Sequence, residues 1–403
     1  MLKFFKGRSI GYIIKHVAVL PLVLLVWLAI EITNFFRPVF IVGLSYKGRI
    51  THYMVPMELH LRNANQLNRE YLMIFVMPAT TPNEAVRTVY RRYSIIVDSH
   101  FPNFIRRTFS ILAVFLKSRF TPELPNQHYL WQLEPATTLT NDELKFGEEL
   151  LRKLGIPKGA QYVCLGVKES AYYASITPDR GYGQDLRQQA SDSRNVDIRN
   201  YMAAATYLAK QGIYVIRVGS VVGATLPNDR HPMIIDYATN YRSELGDITL
   251  GVNSRFGLIA CCGVWIFLSI HNRPIAYCDQ YEFGYENDML SQGTHTIWTP
   301  RTLRVKDSEN LVPFYKVASG GQKWADDALL DSLGYEPVPN TPEEILDATI
   351  EMNDWIDGKL ELSAYDEELQ TKFYDCYPPE TRKEKNPLVK ISPSFLRKYQ
   401  DLL

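Results

Sequence analysis

Gly212-Ile-Tyr-Val-Ile-Arg-Val-Gly219, Arg255-Phe-Gly-Leu-Ile-Ala-Cys-Cys-Gly263 and Arg273-Pro-Ile-Ala-Tyr-Cys-Asp279 decide the reading of this chain. Each is an apolar run bounded by a glycine or a charge, the pattern of a strand buried on both faces of a parallel sheet. Between the second and third lies an apolar stretch from Val264 to His271 that reads as a helix. Strand, glycine turn, helix and strand within about thirty residues predict a βαβ unit with a right-handed crossover. Ligands of such sheets bind beyond the carboxyl ends of the strands. That edge carries Arg217, Gly219, Cys261, Cys262, Gly263 and Asp279.

With 403 residues, the chain exceeds one ordinary core, so two domains and an appendage are expected. Lys+Arg and Asp+Glu both total 44, which leaves no global field for nucleic acid. The five cysteines form no Cys-x-x-Cys pair and no zinc-like spacing with histidine. They read as reduced core thiols of a cytosolic compartment.

Residues 1–16 hold Lys3, Lys6, Arg8 and Lys15 without an acid, and Val17 to Ile30 then runs uncharged until Glu31. A run of about fourteen residues is short of the about twenty that a span requires. A helix lying on the inner membrane face is the favoured expectation, with a true span or a buried helix as alternatives. Four segments follow from the composition shifts: 1–37 as the membrane-associating helix, 38–140 and 141–345 as two α/β domains, and 346–403 as a C-terminal helical tail.

In the first α/β domain, Val39 to Leu44, Tyr71 to Met77 and Tyr93 to Asp98 read as strands. Gly48-Arg-Ile-Thr-His52 is a turn entering a helix, Pro56 to Arg69 has helical spacing, and Asn83 to Arg91 is a second helix. Phe104 to Phe120 reads as a further helix, packed or membrane-facing. Prolines 122, 125 and 135 mark a linker. A helix from Asn141 to Leu154, capped by Thr140 or Asn141, leads to the strand Tyr162 to Val167 of the second domain. Lys168 to Asp192 is a long polar loop, functional or mobile. Helices are expected over Asp197 to Gln211 and from Thr341 to about Gly358, and partial helix over Glu361 to Leu403.

No Gly-x-Ser-x-Gly elbow, Walker loop or His-Glu-x-x-His is present, so chemistry rests on scattered strand-end residues. A guanidinium in an apolar strand requires an anion, so Arg217 pairs internally with Asp236 or Asp247, or holds a phosphate. Gly263 opens either a diphosphate-binding helix mouth or a tight strand-to-helix contact. His52 at a helix start is either a neutral base or a hydrogen-bonded surface histidine, with Glu58 and Asp98 as other bases. Arg194, Asn195 and Asp197 bind donor or shape a helix start.

Taken in order, Gly48 to His52, Val163 to Tyr172, Asp192 to Tyr201, Tyr214 to Gly219, Ile235-Asp-Tyr237 and Arg255 to Pro274 resemble the successive motifs of a glycosyltransferase family of surface-polysaccharide gene clusters. The resemblance spans residues 45 to 300. It implies a GT-B architecture, two Rossmann-like domains facing a cleft. The second holds a nucleotide sugar and the first a glycan or lipid-linked acceptor, with no metal and no separate cofactor. On that basis His52 deprotonates the acceptor and Arg49 orients acceptor or phosphate. Arg217, Lys168 and the Gly263 amides stabilise the leaving diphosphate. Gly219, Asp236, Cys261 and Cys262 line the donor, and the enzyme works at the cytoplasmic membrane face. The chain departs from the family where Gly166, Lys168 and Glu169 replace His, Arg and Asp, and where Cys261-Cys262 replace Asp-Ser. A catalytically inactive, glycan- or partner-binding relative is the alternative. A nicotinamide-dependent sugar-modifying enzyme is disfavoured because Leu44-Ser-Tyr-Lys-Gly48 lacks the glycine-rich turn it needs.

Overall fold

The computed structural model describes residues 10–44, 49–77, 81–98, 124, 127–169, 171, 195–223, 225–280, 293–320, 327–379 and 385–403. The expected helix over Phe104 to Phe120, most of the polar loop and Arg194 lie outside the described residues. The chain divides into two compact units, Met1–Pro125 with Ala136–Thr138, and Asn126–Pro135 with Leu139–Leu403.

In the first unit a 27-residue helix, α1 (Ile10–Phe36), leads into β1 (Val39–Gly43). Then come α2 (Ile50–Asn65), β2 (Leu72–Met77), α3 (Glu84–Arg91) and β3 (Ile95–Asp98). The strands form a parallel sheet in the order β1-β2-β3, as their alternation with helices requires. Helix α2 starts at Ile50, within the expected turn Gly48 to His52, carries Pro56 inside it and ends at Asn65, short of Arg69. The helix passes through the proline because packing encloses it on every side: Tyr53, Met54 and all six residues from Met57 to Arg62 are buried. Asn83 caps α3 by accepting from the Val86 amide at 2.9 Å. Glu58, an expected base, is fully buried. It accepts from Arg62 Nε at 2.8 Å, the Tyr90 hydroxyl at 2.9 Å and the Ala136 amide at 2.8 Å. These bonds make it a structural anchor of this unit.

The second unit contains α4 (Gln127–Trp131), α5 (Asn141–Lys153), β4 (Tyr162–Val167), α6 (Met202–Lys210), β5 (Tyr214–Arg217) and β6 (Ile234–Asp236). Next are α7 (Tyr237–Asn240), α8 (Glu244–Asn253), β7 (Phe256–Ala260), α9 (Trp265–Ser269), β8 (Ile275–Gln280) and β9 (Thr296–Pro300). The pair β10 (Thr302–Val305) and β11 (Tyr335–Val338) is antiparallel, and α10 (Phe314–Gly320) and α11 (Asp327–Ser332) lie between its strands in sequence. The chain ends through α12 (Pro342–Ile356), α13 (Ala364–Asp375), β12 (Val389–Ile391) and α14 (Pro393–Lys398). Thr140 and Thr341 close capping boxes at α5 and α12, as Thr-x-x-Glu dictates.

Seven parallel strands run in the order β12-β9-β8-β7-β4-β5-β6. The expected βαβ unit is β7-α9-β8, with Gly257 opposite Ile275. A Cβ on Gly257 would stand 2.7 Å from Leu268 Cδ2, so the bare glycine lets the crossover close on the sheet. The core joins Val163, Leu165, Val215, Leu258 and Ala276 to the small face of α6 (Ala204, Ala205, Leu208) and to Ile345, Ala348 and Met352 of α12. The C-terminal segment is thus more than a helical tail. Its strand β12 extends the sheet by pairing with β9, and Gln370 of α13 bonds both the amide and the carbonyl of Ile391.

Candidate functional site at the switch point of the seven-stranded sheet

The chain leaves β4 toward β5 and β6 on one side, then returns to place β7 on the other side of β4. Strand order therefore reverses between β4 and β7, and the crevice beyond their carboxyl ends is where an open α/β sheet takes a ligand. Two segments line it: Gly166-Val-Lys-Glu169, the last two residues of β4 and the two that follow it, and Cys261-Cys-Gly263 after β7. They meet closely. A Cβ on Gly166 would stand 3.0 Å from Cys262 Sγ and 3.2 Å from Ile259 Cδ1. The absent side chain at 166 is what lets the Cys262 sulfur lie over β4.

Lys168 and Glu169 are both buried. Glu169 joins the two flanks of this edge: Oε2 accepts from the Gly223 amide at 2.5 Å and Oε1 accepts from Arg217 Nη2. Arg217, 1 % exposed, also gives Nη1 to Asp236 Oδ2 at 3.3 Å. Asp236 further accepts from Thr239 Oγ1 at 2.9 Å and caps α7 through the Thr239 amide. Of the two sequence readings of Arg217, internal pairing with Asp236 is the one present, and Glu169 supplies a second carboxylate. Two anions on one buried cation satisfy its charge, and the guanidinium braces the ends of β4, β5 and β6. Gly219 follows at φ 153° against Val222.

A second buried knot holds the end of β8. Asp279, fully buried and left-handed at φ 57°, accepts from Tyr201 at 2.7 Å, Arg301 Nε at 3.0 Å and the Asn340 amide at 2.8 Å. Its own amide donates to Asn340 Oδ1 at 2.6 Å. Cys261, also left-handed at φ 41°, donates its thiol to the Asp279 carbonyl at 2.9 Å. Adjacent strand ends are thereby held in conformations that non-glycine residues avoid, a strain that surrounding bonds must sustain. Arg301 also bonds the Asn195 carbonyl, at 3.3 Å. Sequence reading had placed Asp279 at this edge and missed Arg301, which sits one residue past β9. Asp197 caps the 3-10 turn at Ile198–Tyr201, the helix-start role, and pairs with Arg199 on the surface.

The helix after Gly263 is shorter than the expected Val264 to His271. It has five residues and Val264 as an uncapped N-cap, so its dipole is small. Desolvation pushes the Cys262 and Cys164 thiols up to about 12, which keeps both protonated. Among the described residues no group of three or more His, Cys, Asp or Glu could hold a metal ion. In the first unit, Arg49 is the N-cap of α2 and His52 lies in its first turn, half-buried. Burial, then the Arg49 charge, holds the His52 pKa below 6.5.

No protein-family model matches the chain, and no curated protein matches it. Solved structures do. A glycosyl transferase of family 9 from Veillonella parvula aligns with TM-score 0.44 and 10% identity, covering 79% of this chain and 96% of that one. The E. coli ADP-heptose lipopolysaccharide heptosyltransferase II aligns with TM-score 0.41 and 9% identity, over 80% of this chain and all (100%) of that one. The dodecameric iron-containing glycosyltransferase TibC of enterotoxigenic E. coli gives TM-score 0.35 and 11% identity, over 80% and 75% of the two chains.

Proposed function

We propose that the chain is a glycosyltransferase of GT-B type, moving a sugar from a nucleotide-sugar donor to a glycan or lipid-linked acceptor in surface-polysaccharide synthesis. The observation that carries this reading is the reversal of strand order between β4 and β7, with a buried lysine at its mouth. The ordered family motifs in the sequence add to it.

In this reading Lys168 and the backbone amides after Cys262 meet the charge of the departing diphosphate, in place of a metal ion. Arg217, Glu169 and Asp236 keep that edge in shape. His52, held neutral, takes the proton of the acceptor hydroxyl, and Arg49 orients the acceptor. The acceptor's lipid linkage and the cytoplasmic membrane face belong to the same reading.

A second reading, a relative that binds donor or glycan without turnover, is favoured by one observation. The family's Asp-Ser is replaced by Cys261-Cys262, which removes the carboxylate and hydroxyl from the helix mouth, and burial favours the protonated Cys262 thiol. Thermal-shift screening against nucleotide sugars, followed by a donor-hydrolysis and transfer assay, separates the two. Lys168→Ala loses the donor-dependent shift, whereas His52→Ala keeps the shift and loses at least tenfold in turnover. If the donor shifts the melting point but wild type and both variants turn over alike at background, the chain binds without catalysing. If no nucleotide sugar shifts it, the switch-point assignment fails.

A further inference from the structure

Helix α1 has its polarity reversed with respect to water. At 3.6 residues per turn, the exposed positions from Ala18 to Phe36 cover an arc of roughly 200°. Every residue on that arc is uncharged. Leu22, Leu25, Leu28, Ile32, Phe35 and Phe36 all stand out on it, Leu25 at 67 % and Phe35 at 87 % exposure. The opposite arc holds Val23, buried, with Leu20, Trp27, Ile30, Glu31 and Asn34 half-buried. Glu31 and Asn34, the polar residues a surface helix would turn to solvent, face inward. Asn34 is engaged there, its Oδ1 accepting from the Val39 amide at 3.1 Å and fixing the helix to the start of β1. A soluble helix shows the opposite distribution, and a contiguous apolar surface of this size marks an interaction site.

Charge selects the occupant. The first thirty residues contain Lys3, Lys6, Arg8 and Lys15 and no acid. Such a segment fits a surface of anionic headgroups, whereas a second copy of it would offer no acidic counterpart. The inner arc of α1 is already engaged, with Val23 buried and Asn34 bonded to the Val39 amide. We propose that the outer arc of α1 lies in the surface of an anionic lipid bilayer, its apolar side chains among the acyl chains and the basic segment at the headgroups. The inference deepens the membrane-face part of the proposed function and rests on α1 alone, so its failure removes that location and leaves sugar transfer at the switch point standing, and the converse holds.

Flotation of the full-length protein with vesicles tests it. Wild type floats with phosphatidylcholine vesicles that contain phosphatidylglycerol and far less with phosphatidylcholine alone. Replacing Lys3, Lys6 and Arg8 by glutamine removes the excess on anionic vesicles, roughly fivefold for each charge near the surface. Leu25→Glu with Phe35→Glu abolishes flotation on both compositions, and because both side chains are exposed the melting point stays at the wild-type value. Flotation of the double variant equal to wild type overturns the proposal. So does wild type that fails to float and instead self-associates without lipid, with the double variant monomeric, since the arc then serves a second copy.

Discussion

Arg217 and Asp236 stand opposite one another in register on β5 and β6, and the guanidinium spans the 3.3 Å to that carboxylate while its other terminal nitrogen serves Glu169. All three side chains are buried, so each charge depends on the others. Arg217→Ala leaves two carboxylates without their cation and lowers stability by about 3–5 kcal/mol. Arg217→Lys keeps the charge, loses one arm of the fork and falls between. Urea unfolding measures both, and a wild-type midpoint for the alanine variant would show that the brace is not formed.

The contact between Gly166 and Cys262 predicts a pair of compensating substitutions. Gly166→Ala puts a methyl group 3.0 Å from a sulfur that must then move, at a cost of about 1–3 kcal/mol. Cys262→Ala in the same chain removes the obstacle and restores most of the loss. A double-mutant cycle reads the coupling; additive effects would mean that the two residues do not touch.

These two relationships also show what the sequence could and could not disclose. The strands β4, β5, β7 and β8 are legible because each is an apolar run buried on both faces, and the βαβ unit follows from their spacing. Asp236 is a legible partner for Arg217 because a buried guanidinium demands a carboxylate and Asp236 lies 19 residues on. Glu169 is not, since it is 48 residues from Arg217 and reaches it only once β4 and β5 adopt their register. Strands β6 and β12, three residues each, are too short to carry a period.

Acid sensitivity is expected of the first unit through His60. Burial lowers its pKa from 6.5 to about 4, so between those values the unfolded chain binds a proton that the folded one refuses. Stability is full above pH 6.5 and declines by about 3 kcal/mol as pH falls toward 4. Urea midpoints recorded across that window should slope less in His60→Gln than in wild type. Equal slopes would assign the acid loss to other groups.

If His52 is the acceptor's base, transfer requires its neutral form. The rate then falls as pH drops through a pKa that lies below 6.5, and Arg49→Ala, which removes the smaller of the two causes, moves the acid limb upward toward 6.5. An NMR titration of His52 should move in the same direction. A limb that stays put in Arg49→Ala while the titration shifts would exclude His52 from the proton transfer.

The place of β4 in the middle of the sheet has a consequence for how the second unit is made. One flank of β4 is filled by β5, close behind it in the chain, but the other waits for β7, with Val163 meeting Phe256 about ninety residues further on. Closing so long a loop is slow, and until then a newly synthesised molecule presents a bare, apolar strand edge to its neighbours. Yield at low temperature or with chaperone supply should therefore respond to substitutions in the β6-to-β7 connection more than to changes in the finished sheet.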